Sequence, residues 1–157
     1  MGSAQDVIID DDGTGEVADL VCLRAIDGTL VVHFVHCKYS SESNPGARLA
    51  DLFEVLGQAQ RSAAWRRDVD GLFARLIRRE RTRAKAGRPS GMVRGTIEEL
   101  HTLFEQSPNL LTRLQITVAQ PGLSATAVKD RHLELLASAD TFIADTAQSL
   151  LGVWCSP

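Results

Sequence analysis

The sequence predicts an α/β fold in which a mixed sheet, begun by a three-stranded meander, is layered against helices. Three observations predict it. Residues 16–40, EVADLVCLRAIDGTLVVHFVHCKYS, form two extended runs rich in Val, Leu and Phe around an Asp27-Gly28 turn, and Asp-Gly between apolar runs is a strong hairpin signal. From residue 47 onward the apolar spacing changes to three and four, the period of amphipathic helices. A later strand signal, LQITVA at 114–119, then stands between helical stretches. The resulting order is β-β-β-α-α-α-β-α-β, an α/β sandwich with a mixed sheet.

Taken in order, a first strand begins at Val7–Ile9 and runs into Asp10-Asp11-Asp12 and the turn Gly13-Thr14-Gly15. Three adjacent carboxylates repel one another. Asp10 and Asp11 are assigned to solvent, while Asp12 and Glu16, close to the next strand, are second candidates for holding a cation. After the hairpin, SESNPG at 41–46 is a loop by composition. The spacing predicts a helix over 47–67 with Leu49, Leu52, Phe53, Leu56, Ala59 and Ala63 facing inward and Asp51, Glu54, Gln58 and Ser62 sharing another face. Gly57 in its middle costs about 1 kcal/mol against Ala, which predicts close packing on the sheet. A second helix spans 69–85, with Leu72, Phe73, Leu76 and Ile77 inward and its arginines outward. Residues 86–90 break the pattern, and Thr96 caps a third helix that has Glu98 and Glu99 near its positive end. Gln120-Pro121-Gly122 closes the strand at 114–119. A helix over 124–149, bent near 138–140, and a short terminal strand over 151–155 complete the chain.

The 157 residues, 44% of them hydrophobic, fit a single domain. No run approaches the ~18 apolar residues of a membrane span, and no basic-then-apolar leader precedes the first strand. Cys22, Cys37 and Cys155 are odd in number, without metal-type spacing, and sit in apolar runs, so they read as reduced thiols of a cytoplasmic protein. Residues 1–3, Met-Gly-Ser, read as a tag remnant, and the chain as one domain of something longer. The net charge of −3 hides an asymmetry. Residues 61–94 hold eleven basic and three acidic side chains, a net of +8, and the remainder holds six and seventeen, a net of −11. A basic block in an acidic chain predicts a polyanion-binding surface, with a solvated helix face as the plain alternative. Its arginines suit phosphate, because a guanidinium fork matches phosphate oxygens.

Asp19, His36 and Lys38 are out of place in an apolar hairpin, where charge is costly unless paired or metal-bound. Strand alternation puts His36 and Lys38 on one face and Cys37 on the other. Other chemistries lack their residues. No GxxxxGK[ST] loop and no GxSxG elbow occurs, Gly13-Thr14-Gly15 lacks a following helix, and His33, His36, His101 and His132 have no zinc-type spacing with the cysteines.

An acid on one strand and His-Cys-Lys on the next resembles the PD-(D/E)xK, or restriction-endonuclease-like, nuclease superfamily. Its core is a three-stranded meander followed by a helix and a further strand, with an acid on the second strand and (D/E)xK on the third. Asp19 matches the acid, and His36-Cys37-Lys38 stands at the (D/E)xK position. The stretches DDGTGEVADL, HCKYS, PGARLADLFEV, GQAQRS and VAQPGLS are similar to a bacterial nuclease-like domain often attached to superfamily-2 helicases in phage-defence contexts, so the resemblance spans nearly the whole chain. It implies a restriction-endonuclease-like sandwich and an endonuclease domain that hydrolyses DNA. The implied cofactor is magnesium or manganese, held by Asp19, His36 and Glu16. Lys38 would orient or deprotonate the attacking water, and Gln58 would hydrogen-bond the water or the phosphate. Arg61, Arg66, Arg75, Arg78, Arg79 and Arg81 would grip the backbone, and a helicase domain of the same parent protein is the implied partner. The departure is His36, where the superfamily has a carboxylate. Glu16, Asp12 or Glu54 restores the missing charge, or the site takes a softer metal, or activity has been lost. The last case leaves a non-catalytic DNA-binding or protein-interaction module with the nuclease fold.

Overall fold

The structure, a computed structural model, describes residues 5–38 and 48–157. The loop expected at 41–46 and residues 1–3 lie outside these. β1 (Gln5–Asp10), β2 (Leu20–Ile26) and β3 (Thr29–Cys37) form the expected antiparallel meander. Asp27 and Gly28 both have positive φ, 47° and 74°. That is the backbone of the tight turn whose twist matches two paired strands, and Gly28 adopts it without a Cβ penalty.

Four helices follow among the described residues: α1 (Leu49–Ser62), continued by a 3₁₀ turn at Ala63–Arg67, α2 (Val69–Lys85), α3 (Ile97–Gln106) and α4 (Asp130–Ala147). Asp68 caps α2 by accepting from Gly71 N, and Thr96 and Glu99 form a reciprocal capping box on α3. In α1 the buried stripe is Leu52, Val55, Leu56, Ala59 and Ser62. The helix is therefore rotated from the expected register: Phe53 is 68% exposed and Ser62 faces inward. Gly57 has no atom within 4 Å of the place a Cβ would take, so it does not mark close packing.

Among the described residues the sheet has six strands in the order β4-β1-β2-β3-β5-β6, with β4 (Met92–Arg94) antiparallel to β1, and β5 (Leu111–Ser124) and β6 (Leu151–Ser156) continuing parallel to β3. The expected nine-element order thus gains β4, three residues long and set between Gly91 and Gly95. β5 also runs past Gln120-Pro121-Gly122. Pro121 has no N–H to offer a ladder, and the β5–β6 register shifts between Gln120 and Ser124 there. Pro-Gly bulges this strand where the sequence reading had it end. Residues 124–129 then pair or turn, Ala125 N donating to Ser156 O, and α4 starts six residues later than expected.

The fold is α/β with a mixed sheet. Val7, Ile9, Val21, Leu23, Leu30, Val32, Phe34, Leu114, Ile116 and Val118 share one face, and all four helices pack on it in a single core. The opposite face carries Asp6, Cys22, Arg24, Val31 and His33, half-buried or exposed. All three cysteines are free thiols. No helix among the described residues is long and apolar enough to cross a membrane.

Candidate functional site

Residues 11–19, between β1 and β2, carry the acids, and α2 fixes their path. Arg75, Arg79 and Arg83 stand four apart, on one stripe of that helix. Arg75 donates to Gly15 O (2.5 Å), Arg79 to Thr14 O (2.9 Å) and Asp11 O (2.8 Å), and Arg83 to Asp10 O (2.6 Å). The Arg79 guanidinium also pairs with the Asp11 carboxylate. Asp11, expected in solvent, is 1% exposed, and its other oxygen accepts from Val17 N (2.8 Å). Asp10 is exposed, as expected. Burial of the Asp11 carboxylate is tolerable because a guanidinium and a backbone N–H satisfy it. The expectation that the α2 arginines point outward therefore fails for Arg75, Arg79 and Arg83. All three turn to residues 10–15.

The loop gathers Asp12, Glu16 and Asp19, whose carboxylate oxygens lie within 4.8 Å of one another. Asp19 sits one residue before β2, and its carboxylate accepts from Cys37 N (2.7 Å) at the end of β3. Glu16 accepts from Gly13 N (3.0 Å) and from Gln58 Nε2 (3.4 Å). Burial raises the Asp19 pKa; the Cys37 N–H opposes the rise, and the charges of Asp12 and Asp10 reinforce it.

His36 and Lys38 do share a face, and both reach α1. Lys38 Nζ lies 2.8 Å from Glu54 Oε2, and that hydrogen bond raises its pKa, so it is an ammonium at neutral pH. His36 is 1% exposed and outside the carboxylate cluster. Its Nε2 is 2.9 Å from Ser62 Oγ, which donates onward to Val17 O (3.1 Å). A hydroxyl has one proton, so Nε2–H donates to Ser62 and Nδ1 carries the lone pair. Nδ1 has no partner. Burial, with the nearby Arg61 charge adding to it, lowers the His36 pKa to about 4.

The sign of that shift gives a pH dependence. The unfolded ring takes up a proton below about pH 6.5 while the folded ring stays neutral, so stability falls as pH drops from 6.5 towards 4, by about 3 kcal/mol in all. Asp19 acts oppositely, its raised pKa removing stability as pH rises from 3.8. Urea unfolding of the native chain and of His36→Gln, compared from pH 7 to pH 4, isolates the imidazole. The native chain should lose about 3 kcal/mol relative to the variant; a constant difference would mean that the folded ring protonates normally.

Beside Glu16 lies a cavity of about 330 Å³ lined by residues of β3, α1 and α2, among them His36, Gln58 and Arg75. Of the remaining arginines, Arg66 ties the 3₁₀ turn to Thr112 O (3.1 Å) and Gln148 Oε1 (2.7 Å). Arg61, Arg78 and Arg81 are exposed, Arg81 within 3.5 Å of His101. Gln120 escaped the sequence reading. It is 1% exposed, neither amide atom has a partner, and it follows Ala119, whose carbonyl accepts from Lys38 N (3.0 Å). Its place in a Gln-Pro-Gly stretch read as a turn gave no signal of that. The chain matches no protein-family model, no curated protein and no solved structure.

Proposed function

We propose that the chain is a divalent-metal-dependent nuclease domain of restriction-endonuclease-like type that hydrolyses phosphodiester bonds of DNA. The observation that carries this reading is the convergence of Asp12, Glu16 and Asp19 at the entrance of β2, with Lys38 one residue beyond β3. The order meander, helix, further parallel strand supports it, since this is the core of the superfamily the motifs resemble.

The donor set fits a hard cation. All three groups are carboxylates, and magnesium and manganese favour oxygen. His36 is not required as a ligand, because Asp12 supplies the carboxylate that its position lacks. When bound, such an ion lowers the pKa of a water and polarises a phosphoryl oxygen. The chain's own residues do the rest. Gly13 N–H and Cys37 N–H orient the Glu16 and Asp19 carboxylates. Gln58 steadies Glu16. Lys38, held charged by Glu54, orients the attacking water and offsets developing negative charge; a raised pKa makes it a poor base. Arg61, Arg78 and Arg81 hold the sugar-phosphate backbone. A helicase domain of a longer parent protein, acting in phage defence, is the partner this reading implies.

Incubation with linear and circular DNA in magnesium or manganese, against an EDTA control, tests the proposal. Metal-dependent cleavage is the expected outcome. Binding without cleavage would leave a DNA-holding module, and no binding would turn the basic surface towards a protein. Arg61→Gln, Arg78→Gln and Arg81→Gln combined should weaken binding alike for all sequences and flatten the slope of log affinity against log salt by about 2–3. Unchanged affinity would assign these arginines to solvent.

A further inference from the structure

Three side chains that line the cavity beside Glu16, from three different elements, each keep a buried polar atom without a partner: His36 Nδ1 from β3, Gln58 Oε1 from α1 and Arg75 Nε from α2. Among the described residues the remaining buried, unpartnered side-chain atoms all belong to Gln120. Such atoms are rare because leaving them unmade is costly. Three converging on about 330 Å³, the lower end of the range for ligand pockets, describe a built site. Its floor is His36 and Ser62, both 1% exposed, and its mouth is at the exposed Arg61 and Asp68. Trp65 is in the wall, and Glu16 belongs both to this cavity and to the carboxylate cluster.

The pattern of donors and acceptors selects the occupant. His36 Nδ1 is an acceptor, since Nε2–H is committed to Ser62. Gln58 Oε1 is an acceptor, since its amide nitrogen must face the Glu16 carboxylate. Arg75 Nε–H is a donor. An inorganic anion offers acceptors only, and would meet two acceptors and a carboxylate at the inner end. A metal cation has nothing for Arg75. The edge of a nucleobase carries N–H donors beside C=O or ring-nitrogen acceptors, and its flat faces suit an aromatic wall. Arg61 at the mouth then meets the phosphate attached to that base.

We propose that this cavity receives one unpaired nucleobase of the substrate, so that the chain acts on DNA that is single-stranded or locally unstacked beside the scissile phosphate. The identity of the ligand rests on the nuclease reading; the geometry of the site does not. A base held in a duplex stack cannot turn into a pocket of the protein, whereas an extruded or unpaired one can, at the cost of its stacking.

The test uses Trp154→Phe, which leaves Trp65 as the single tryptophan, in metal-free buffer. Calorimetry with the four deoxynucleoside monophosphates and with deoxyribose 5-phosphate is run beside Trp65 fluorescence. At least one nucleotide should bind with a Kd below about 1 mM and shift Trp65 emission, while deoxyribose 5-phosphate does neither. Gln58→Leu should weaken the nucleotide about tenfold, the loss of one hydrogen bond to a buried group, with the melting temperature held. An oligonucleotide abasic at one position should bind less tightly than its intact single strand. Equal binding of deoxyribose 5-phosphate, or no heat with any nucleotide, overturns the proposal and leaves ordered water as the occupant. Nucleotide binding by a chain that never cleaves DNA would sink the nuclease reading alone. Cleavage by a chain that ignores nucleotides would sink the base pocket alone.

Discussion

Asp19→Asn should lower metal-dependent DNA cleavage by about 10²–10³-fold, with DNA affinity nearly unchanged and the melting temperature equal or higher. The amide keeps the shape of the carboxylate and still accepts the Cys37 N–H, so the end of β3 is undisturbed. What it removes is a half-buried negative charge that burial and two neighbouring aspartates already disfavour. Lys38→Ala is the companion variant, expected to lose cleavage while keeping DNA binding, at the cost only of a surface pair with Glu54. Single-turnover rates beside thermal melts decide both. Retained cleavage by either variant would remove that residue from the chemistry, and a collapsed melt would make it structural.

The second large effect belongs to Arg79→Ala, expected to cost about 3–5 kcal/mol of stability. The Asp11 carboxylate is 1% exposed and would be left with the Val17 N–H alone, and the carbonyls of Asp11 and Thr14 would lose their donor. Arg78→Ala, one position away and exposed, should stay within about 0.5 kcal/mol of the native chain. Chemical denaturation of the two variants measures the contrast. Similar stabilities would mean that α2 does not hold the acidic loop.

Much of the frame was legible because it is local. Apolar alternation and Asp27-Gly28 gave the hairpin, and the period of two put His36 and Lys38 on a common face, where Ser62 and Glu54 of α1 now meet them. Thr96 followed by Glu99 gave a helix start. Strand β4 was hidden because three residues cannot show a period, and the tail of β5 because a Pro-Gly pair reads as a stop when it is a bulge. The site was legible in its residue types and less so in its assignments. Asp11 and Asp12 are neighbours of identical chemistry, yet one is buried against Arg79 and the other lies with Glu16 and Asp19. That division depends on a helix about 65 residues further along the chain, and no local pattern encodes it. The same holds for the arginines. A run that reads as uniform charge is sorted by rotation about α2 into Arg75, Arg79 and Arg83, turned to the loop, and Arg78 and Arg81, exposed.

That stripe of three arginines has a consequence for the native-state fluctuations of the chain. A loop rich in glycine and aspartate would ordinarily fray on its own, at almost no free-energy cost, and scatter the carboxylates it carries. Here every excursion of residues 10–15 must break contacts with three successive turns of one helix, whose adjoining side, Leu72, Phe73 and Leu76, is fully buried. Loop and helix therefore open together, as one cooperative unit, and the order of the acidic cluster is borrowed from the hydrophobic core.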